Sequence, residues 1–518
     1  MNVGYCTNLP VNCSKAANRD PIPMAGEDAR CPECGSALLA GQGPRRPDHA
    51  KRIFGALVAV ALLAAIGLGV ARFAGSGETA PAAANYLLRL SGSNTIGGAL
   101  APALVEDWLR SEGATDITRE KRSRDGAPLP ETVVKARLEG RAVAVEIRAH
   151  GSQEAFAHLR DGSADIGMAS RPIKAEEAKD LAALGNMTGP DNEHVIALDG
   201  IAVIVAPGNG LRSISRQDLA RVFSGELSDW SQLGGATGAI HILARDDRSG
   251  TYDTFRSLVL GGGKLAAGAR RLEDSAALEA EVARDPGAIG FVGLPYVRTA
   301  RALAVSDGAG AMALSPTVFT VKKEDYPLSR RLFLYTAANP AKSEVRRFIL
   351  HVQSDKGQKA VRNAGFVDQN IPPPSEVRSD SASGAEGRSC VLGREWPGNR
   401  SAYCTLIAGK SDMGTNFRFR AGSSELDNRA VQDLQRVLRA LSNAPTQRLI
   451  LVGFADGQGH YDSNLALSRE RAGAVRAALG TLGIHDVEVH AFGEEIPVAD
   501  NAVPAGRDRN RRVEVWLD

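Results

Sequence analysis

Three segments of the chain place small hydroxyl residues and glycine where an apolar strand gives way to a helix. The first is Ser91-Gly92-Ser93-Asn94-Thr95-Ile96-Gly97 and the second is Gly151-Ser152-Gln153-Glu154. The third, Arg245-Asp246-Asp247-Arg248-Ser249-Gly250-Thr251, adds a guanidinium. A helix N-terminus carries backbone N–H groups without intrahelical partners, and its dipole points the same way, so it attracts anions. Each loop alone reads equally as an ordinary helix cap. Three together, with an arginine able to grip an oxyanion through two parallel N–H bonds, predict one shared tetrahedral anion. Walker lysine and dinucleotide glycine motifs are absent, which argues against a nucleotide.

The elements that must hold these loops are legible around them. Residues 87–90, 143–147 and 241–244 read as the preceding strands, and Leu100, Leu104 and Trp108 line one face of the helix after the first loop. From Tyr86 to about Pro372 apolar strands alternate with amphipathic helices, the pattern of open α/β sheets.

The cysteines form two groups. Cys6, Cys13, Cys31 and Cys34 could complete a tetrahedral zinc shell, in a segment too short to bury a core by itself. The knuckle Cys31-Pro32-Glu33-Cys34-Gly35 resembles a zinc ribbon; the competing reading is a tail with reactive thiols. Residues 53–71 then run without a charged or strongly polar side chain. As a helix they reach about 28 Å, enough to span a bilayer once. Arg45, Arg46, Lys51 and Arg52 precede the run and only Arg72 follows closely, which places the N-terminus in the cytoplasm. A cleaved signal peptide and a buried soluble helix are the competing readings. Beyond the membrane, Cys390 and Cys404 could close a disulfide loop worth about 3 kcal/mol, or remain free thiols. A net charge of +2 over 518 residues gives no global bias towards nucleic acid.

SGSNTIGG from Ser91, the stretch from Ala149 to Ile173, Leu219 to Trp230, RDDRSGTYDTF, PGAIGFVG from Pro286 and SDKGQKAVRNAGFV from Ser354 resemble the phosphate-binding proteins of bacterial phosphate ABC transporters. The resemblance implies a two-lobed type II periplasmic binding fold closing over phosphate, with a linking strand near residues 200–205. Carried across, Ser93, Thr95, the Ile96 backbone, Ser152, Arg245, Ser249, Gly250 and Thr251 are the expected ligands. Some members place an aspartate after the DIG segment to accept the proton of hydrogen phosphate. Ser170-Arg171 stand there here, and arginine cannot accept a proton, so Asp246, Asp247 or another acid would serve, or the preference differs. Residues 112–141 look long for the family, and Arg119 to Arg124 read as a solvated loop.

The C-terminal region has helical apolar spacing at Val431, Leu434, Leu438 and Leu441, strands at 449–454 and 513–516, and a helix at 466–479. Gly453-Phe454-Ala455-Asp456, Asn464 to Ala472 and Gly506 to Val513 resemble the peptidoglycan-binding domain of outer-membrane protein A. That resemblance implies that Asp456 and Arg471 hold the zwitterionic end of diaminopimelate in the wall peptide. The alternative is a structural pair between them. The basic run from Gly506 to Arg512 reads as structural rather than as a nucleic-acid patch.

The expected order is a zinc-ribbon-like cytoplasmic segment (1–44), a basic stem and transmembrane helix (45–74), a linker (75–84), the phosphate-binding-protein-like domain (85–372), a linker with the disulfide (373–412) and an OmpA-like α/β domain (413–518). Such a protein sits in the inner membrane with its main domains in the periplasm. It captures or senses phosphate or a similar oxyanion, holds peptidoglycan, and serves a phosphate ABC transporter or a signalling protein. It is no enzyme on this reading. A membrane-to-wall tether with a degenerate ligand site is the alternative, and a phosphatase-like activity lacks a nucleophile and base to carry it.

Overall fold

The computed structural model describes residues 3–6, 22–23, 30–32, 38–41, 86–123, 130–307, 313–371, 400–419, 423–442 and 448–518. The chain divides into two compact units, Met1–Ala83 and Ala84–Asp518. In the first, β1 (Val3–Cys6) pairs antiparallel with both β2 (Ile22–Pro23) and β3 (Leu38–Gly41). Cys6 stands opposite Leu38 in that ladder, and Cys31 is buried. Cys13, Cys34 and the apolar run 53–71 lie outside the described residues. Among the described residues no helix is long and apolar enough to cross a membrane. No group of three or more His, Cys, Asp and Glu among them is placed to hold a metal.

The larger unit is organised by one sheet. Its main strands are β4 (Leu88–Gly92), β5 (Thr115–Arg122), β6 (Glu131–Leu138), β7 (Arg141–Arg148), β8 (Ile166–Ala169), β9 (Glu193–Val205), β10 (His241–Arg245), β11 (Arg270–Leu272), β12 (Ala288–Gly293) and β13 (Ser329–Tyr335), and the short strand Arg301–Ala302 also pairs with β9. They are ordered β11-β10-β12-β9-β13-β8-β4-β7-β6-β5. β4 runs parallel to β7 and β8, and β10 runs parallel to β11 and β12. The linking strand is longer than residues 200–205. Residues 193–200 pair with β13 in the first lobe, and residues 201–205 pair with β12 in the second. All of β9 beyond Glu193 is buried, as a strand covered on both faces requires.

The helix α1 (Ala101–Ser111) buries Leu104 and Trp108, with Leu100 just before it, as the four-residue spacing predicts. One reading is corrected within residues 112–141: Arg119–Arg122, expected in a solvated loop, lie on β5, the exposed outer strand of the sheet, whose charges made them look like a loop. Charge on an edge strand blocks further pairing.

The C-terminal sheet comprises β14 (Ser411–Arg418), β15 (Leu449–Phe454), β16 (Val487–Ala491) and β17 (Arg512–Leu517), ordered β14-β17-β15-β16. The helix Asn428–Ser442 buries Ala430, Leu434, Val437 and Leu441, whereas Val431 is exposed, so its buried stripe lies beside the one read from spacing. A helix over Arg400–Ile407, inside the expected linker, packs Tyr403 and Ile407 against Phe454, Phe492 and Trp516 and belongs to this domain. Cys404 on that helix is disulfide-bonded, and Cys390 lies outside the described residues.

The lobes and the C-terminal domain meet through buried charge. Glu324 accepts from Arg331 at 2.6 Å and faces Arg429 at 3.1 Å and Arg418 at 3.5 Å. Arg331 also reaches Asp427 at 2.7 Å, and Lys323 pairs with Asp412.

Candidate functional site

All three loops follow the carboxyl ends of parallel strands, where open α/β sheets build ligand sites. After β4, Gly92 adopts φ +134°, and a Cβ there would lie 2.1 Å from the Met168 carbonyl oxygen, so only glycine fits. The Ser93 N–H donates to that same carbonyl at 2.8 Å. Ile96–Leu100 then forms a π-helical turn, a widening found often at functional sites. After β7, Ser152 opens the helix α2 (Ser152–Arg160), and its hydroxyl accepts from the Ser170 N–H at 3.1 Å. After β10, Ser249 caps the helix α3 (Gly250–Leu258) by accepting from the Tyr252 N–H.

These loops converge across the two lobes. Thr95 and Thr251 lie 3.0 Å apart, hydroxyl to hydroxyl. Gly250 sits so close to the first lobe that a Cβ would stand 2.1 Å from Ser152 Oγ and 2.6 Å from Ser170 Oγ. Ser93, Thr95, Ile96, Ser152, Arg245, Ser249 and Thr251 are all buried. Arg245 is anchored by Nη1 to Ser275 Oγ at 2.7 Å and by Nε to the Leu272 carbonyl at 3.3 Å. Its nearest carboxylate, Asp246, stays 3.9 Å from Nη2. Burial lowers the Arg245 pKa, the signature of a cation stripped of water. The expected ligand set is thus gathered around one dry, donor-rich point.

Charged pairs outside this point bridge the lobes. Arg171 donates Nε to Asp253 at 2.9 Å and forks onto Glu177 at 2.6 and 2.7 Å. It therefore replaces the family's acceptor with a cross-lobe clamp. Asp247 is turned to solvent and pairs with Arg271, which removes it as a proton acceptor. The sequence reading missed Ser170, Ser275, Arg330 and Asp199, which border the same point. Asp199 did leave a signal, being a lone carboxylate inside the apolar run of β9 that demands a buried partner.

A PBP superfamily domain matches residues 131–356, and the OmpA family matches residues 418–511. The phosphate-binding protein PstS of Staphylococcus haemolyticus is 30% identical over 226 residues, 42% of this chain and 69% of that protein. The chain belongs to the PstS family. Its PstS-like region is also 27% identical to PstS of Bacillus subtilis over 235 residues, 45% of this chain and 72% of that protein. A crystal structure of an ABC-type phosphate transport receptor from Vibrio cholerae is 23% identical with a TM-score of 0.41, covering 54% of this chain and 99% of that one.

In the OmpA domain, Arg471 projects from the helix Tyr461–Thr481 and is fully buried. Its Nε donates to the Ser423 carbonyl at 3.2 Å, while Nη1 and Nη2 have no hydrogen-bond partner among the described residues. Burial, with Arg511 nearby, pushes its pKa down to about 10. Asp456 pairs instead with Arg511 at 2.7 Å. A structural Asp456–Arg471 pair is therefore not what holds Arg471, whose fork forms no ion pair among the described residues. Arg511 stood inside the basic run that the sequence reading assigned to structure.

Proposed function

We propose that this protein captures phosphate, or an oxyanion of the same shape, between the lobes of its PstS-like region while its OmpA domain holds the cell wall. The observation that carries the reading is the buried Arg245, anchored on one edge and surrounded by Thr95, Ser152, Ser249, Gly250 and Thr251 from both lobes. Such a cluster binds and desolvates an anion by lobe closure and needs no bond-making step. Asp456 with the open fork of Arg471 suits a zwitterionic amino-acid end, an acceptor for its ammonium and donors for its carboxylate.

Residues 53–71 would anchor the chain in the inner membrane and leave both binding domains in the periplasm, the reading their length and flanking charge support. A phosphate transporter or a signalling protein of that membrane is the partner class this arrangement suits. Cys6, Cys13, Cys31 and Cys34 would hold zinc; the buried Cys31 and the shortness of the segment support that. A disulfide from Cys404 to Cys390 completes the proposal.

Calorimetric titration of the full chain with phosphate tests the reading. It predicts micromolar or tighter binding, about 8 kcal/mol or more, abolished in Arg245→Ala. A folded chain that releases no heat with phosphate or sulfate leaves the wall tether as its task.

A further inference from the structure

Arg330 lies on β13 where the sheet passes beneath the anion cluster, and it is buried. Its Nε and Nη2 donate to Asp199 Oδ2 at 3.0 and 2.6 Å, and Nη2 also lies 3.3 Å from Thr95 Oγ1. Asp199 in turn is fixed by the Leu294 N–H on Oδ1 at 3.0 Å. The remaining nitrogen, Nη1, is fully buried without a hydrogen-bond partner among the described residues. Gly293 makes room for this arrangement, because a Cβ there would lie 2.7 Å from Asp199 Oδ2 and 3.3 Å from Arg330 Nη2. The guanidinium is therefore gripped along its Nε–Nη2 edge, with Nη2 beside Thr95 and Nη1 left open. Arg245 feels the same charge, since Arg330 helps depress its pKa after desolvation.

A buried N–H of a charged group is costly to leave unmade. We propose that Arg330 contacts the bound anion directly, Nη1 donating to an oxygen seated between Thr95 and Thr251, with Asp199 as its positioning residue. This rests on the reading of the cluster as an oxyanion site. Two guanidinium charges on one ligand attract a dianion more strongly than a monoanion. The site thus favours hydrogen phosphate over dihydrogen phosphate by charge, without needing a carboxylate at position 170 or 171.

Titration of the full chain with inorganic phosphate from about pH 5 to about pH 9, across the second ionisation of the phosphate group, decides it. The set is wild type, Arg245→Ala, Arg330→Lys and the double variant Arg330→Gln/Asp199→Asn. The lysine keeps an ion pair for Asp199 but lacks the second fork nitrogen; the double variant strands no charge if the lysine chain fails to fold. The expected result is a loss of about tenfold or more at high pH in each folded Arg330 variant, with a smaller gain in affinity on raising the pH. Wild-type affinity, or weaker binding with an unchanged pH profile, would reduce Arg330 to a structural role and overturn the proposal. Failure of the wild type to bind phosphate, or unchanged binding by Arg245→Ala, would instead overturn the site itself.

Discussion

Gly250→Ala separates lobe closure from folding. Gly250 is the first residue of α3 and has no positive φ, so alanine suits its backbone and improves helix propensity by up to about 1 kcal/mol. The new methyl nevertheless lies 2.1 Å from Ser152 Oγ across the lobes, against about 3.4 Å for ordinary contact. The lobes must then part by about 1.3 Å at this point. That lengthens the 3.0 Å approach of Thr95 to Thr251 beyond hydrogen-bond reach of a shared ligand oxygen. Hydrogen bonds to a charged group are worth about 1.5–3 kcal/mol each, so losing two costs about 3–6 kcal/mol, more than a hundredfold in affinity. The assay pairs phosphate titration with thermal unfolding without ligand. The variant should keep or raise its unfolding temperature and bind at least a hundredfold more weakly. Tight phosphate binding by Gly250→Ala would refute the closed geometry.

Two further predictions concern stability. His194 is buried against Thr336 at 3.1 Å, and burial lowers its pKa from 6.5 to about 4. The unfolded chain then binds a proton between those values while the native chain does not, so stability is lost as pH drops through that window, by about 3 kcal/mol in all. His194→Gln should remove that acid sensitivity in urea unfolding at about pH 7 and about pH 4.5; an unchanged pH slope would contradict it. Glu324 is held below the usual carboxylate range: burial raises its pKa, but Arg331, Arg429 and Arg418 together lower it further. Its contribution is present above the unfolded pKa and lost as pH falls through the folded one. Glu324→Gln removes the carboxylate that three guanidinia share and should cost about 3–5 kcal/mol in urea unfolding at neutral pH, and a loss under 1 kcal/mol would show the network to be dispensable.

What the sequence disclosed and what it hid follow from the kind of contact involved. The anion loops are local: strand, small hydroxyl residues and helix stand in one short stretch, so Thr95, Ser152 and Thr251 were legible. Arg330 reaches Asp199 across 131 positions, and nothing near Arg330 in sequence marks it as buried. Arg331 beside it looks the same but faces Glu324 and Asp427, because successive strand residues point to opposite faces. Charge also misled the reading of Arg119–Arg122, whose polar side chains suit an outer strand as well as a loop. Likewise the fork of Arg511 onto Asp456 and Asp508 was hidden in a basic run that composition alone could not divide.

The central claim is that one chain holds the wall and phosphate together. Co-sedimentation of the full chain with purified peptidoglycan sacculi in labelled phosphate measures both in one pellet. The account predicts protein and phosphate in equal amounts for the wild type, protein without phosphate for Arg245→Ala, and neither for Arg471→Lys, whose point charge cannot replace the open fork. Wild-type chain that pellets with sacculi but carries no phosphate, or phosphate-loaded chain that stays in solution, would contradict it.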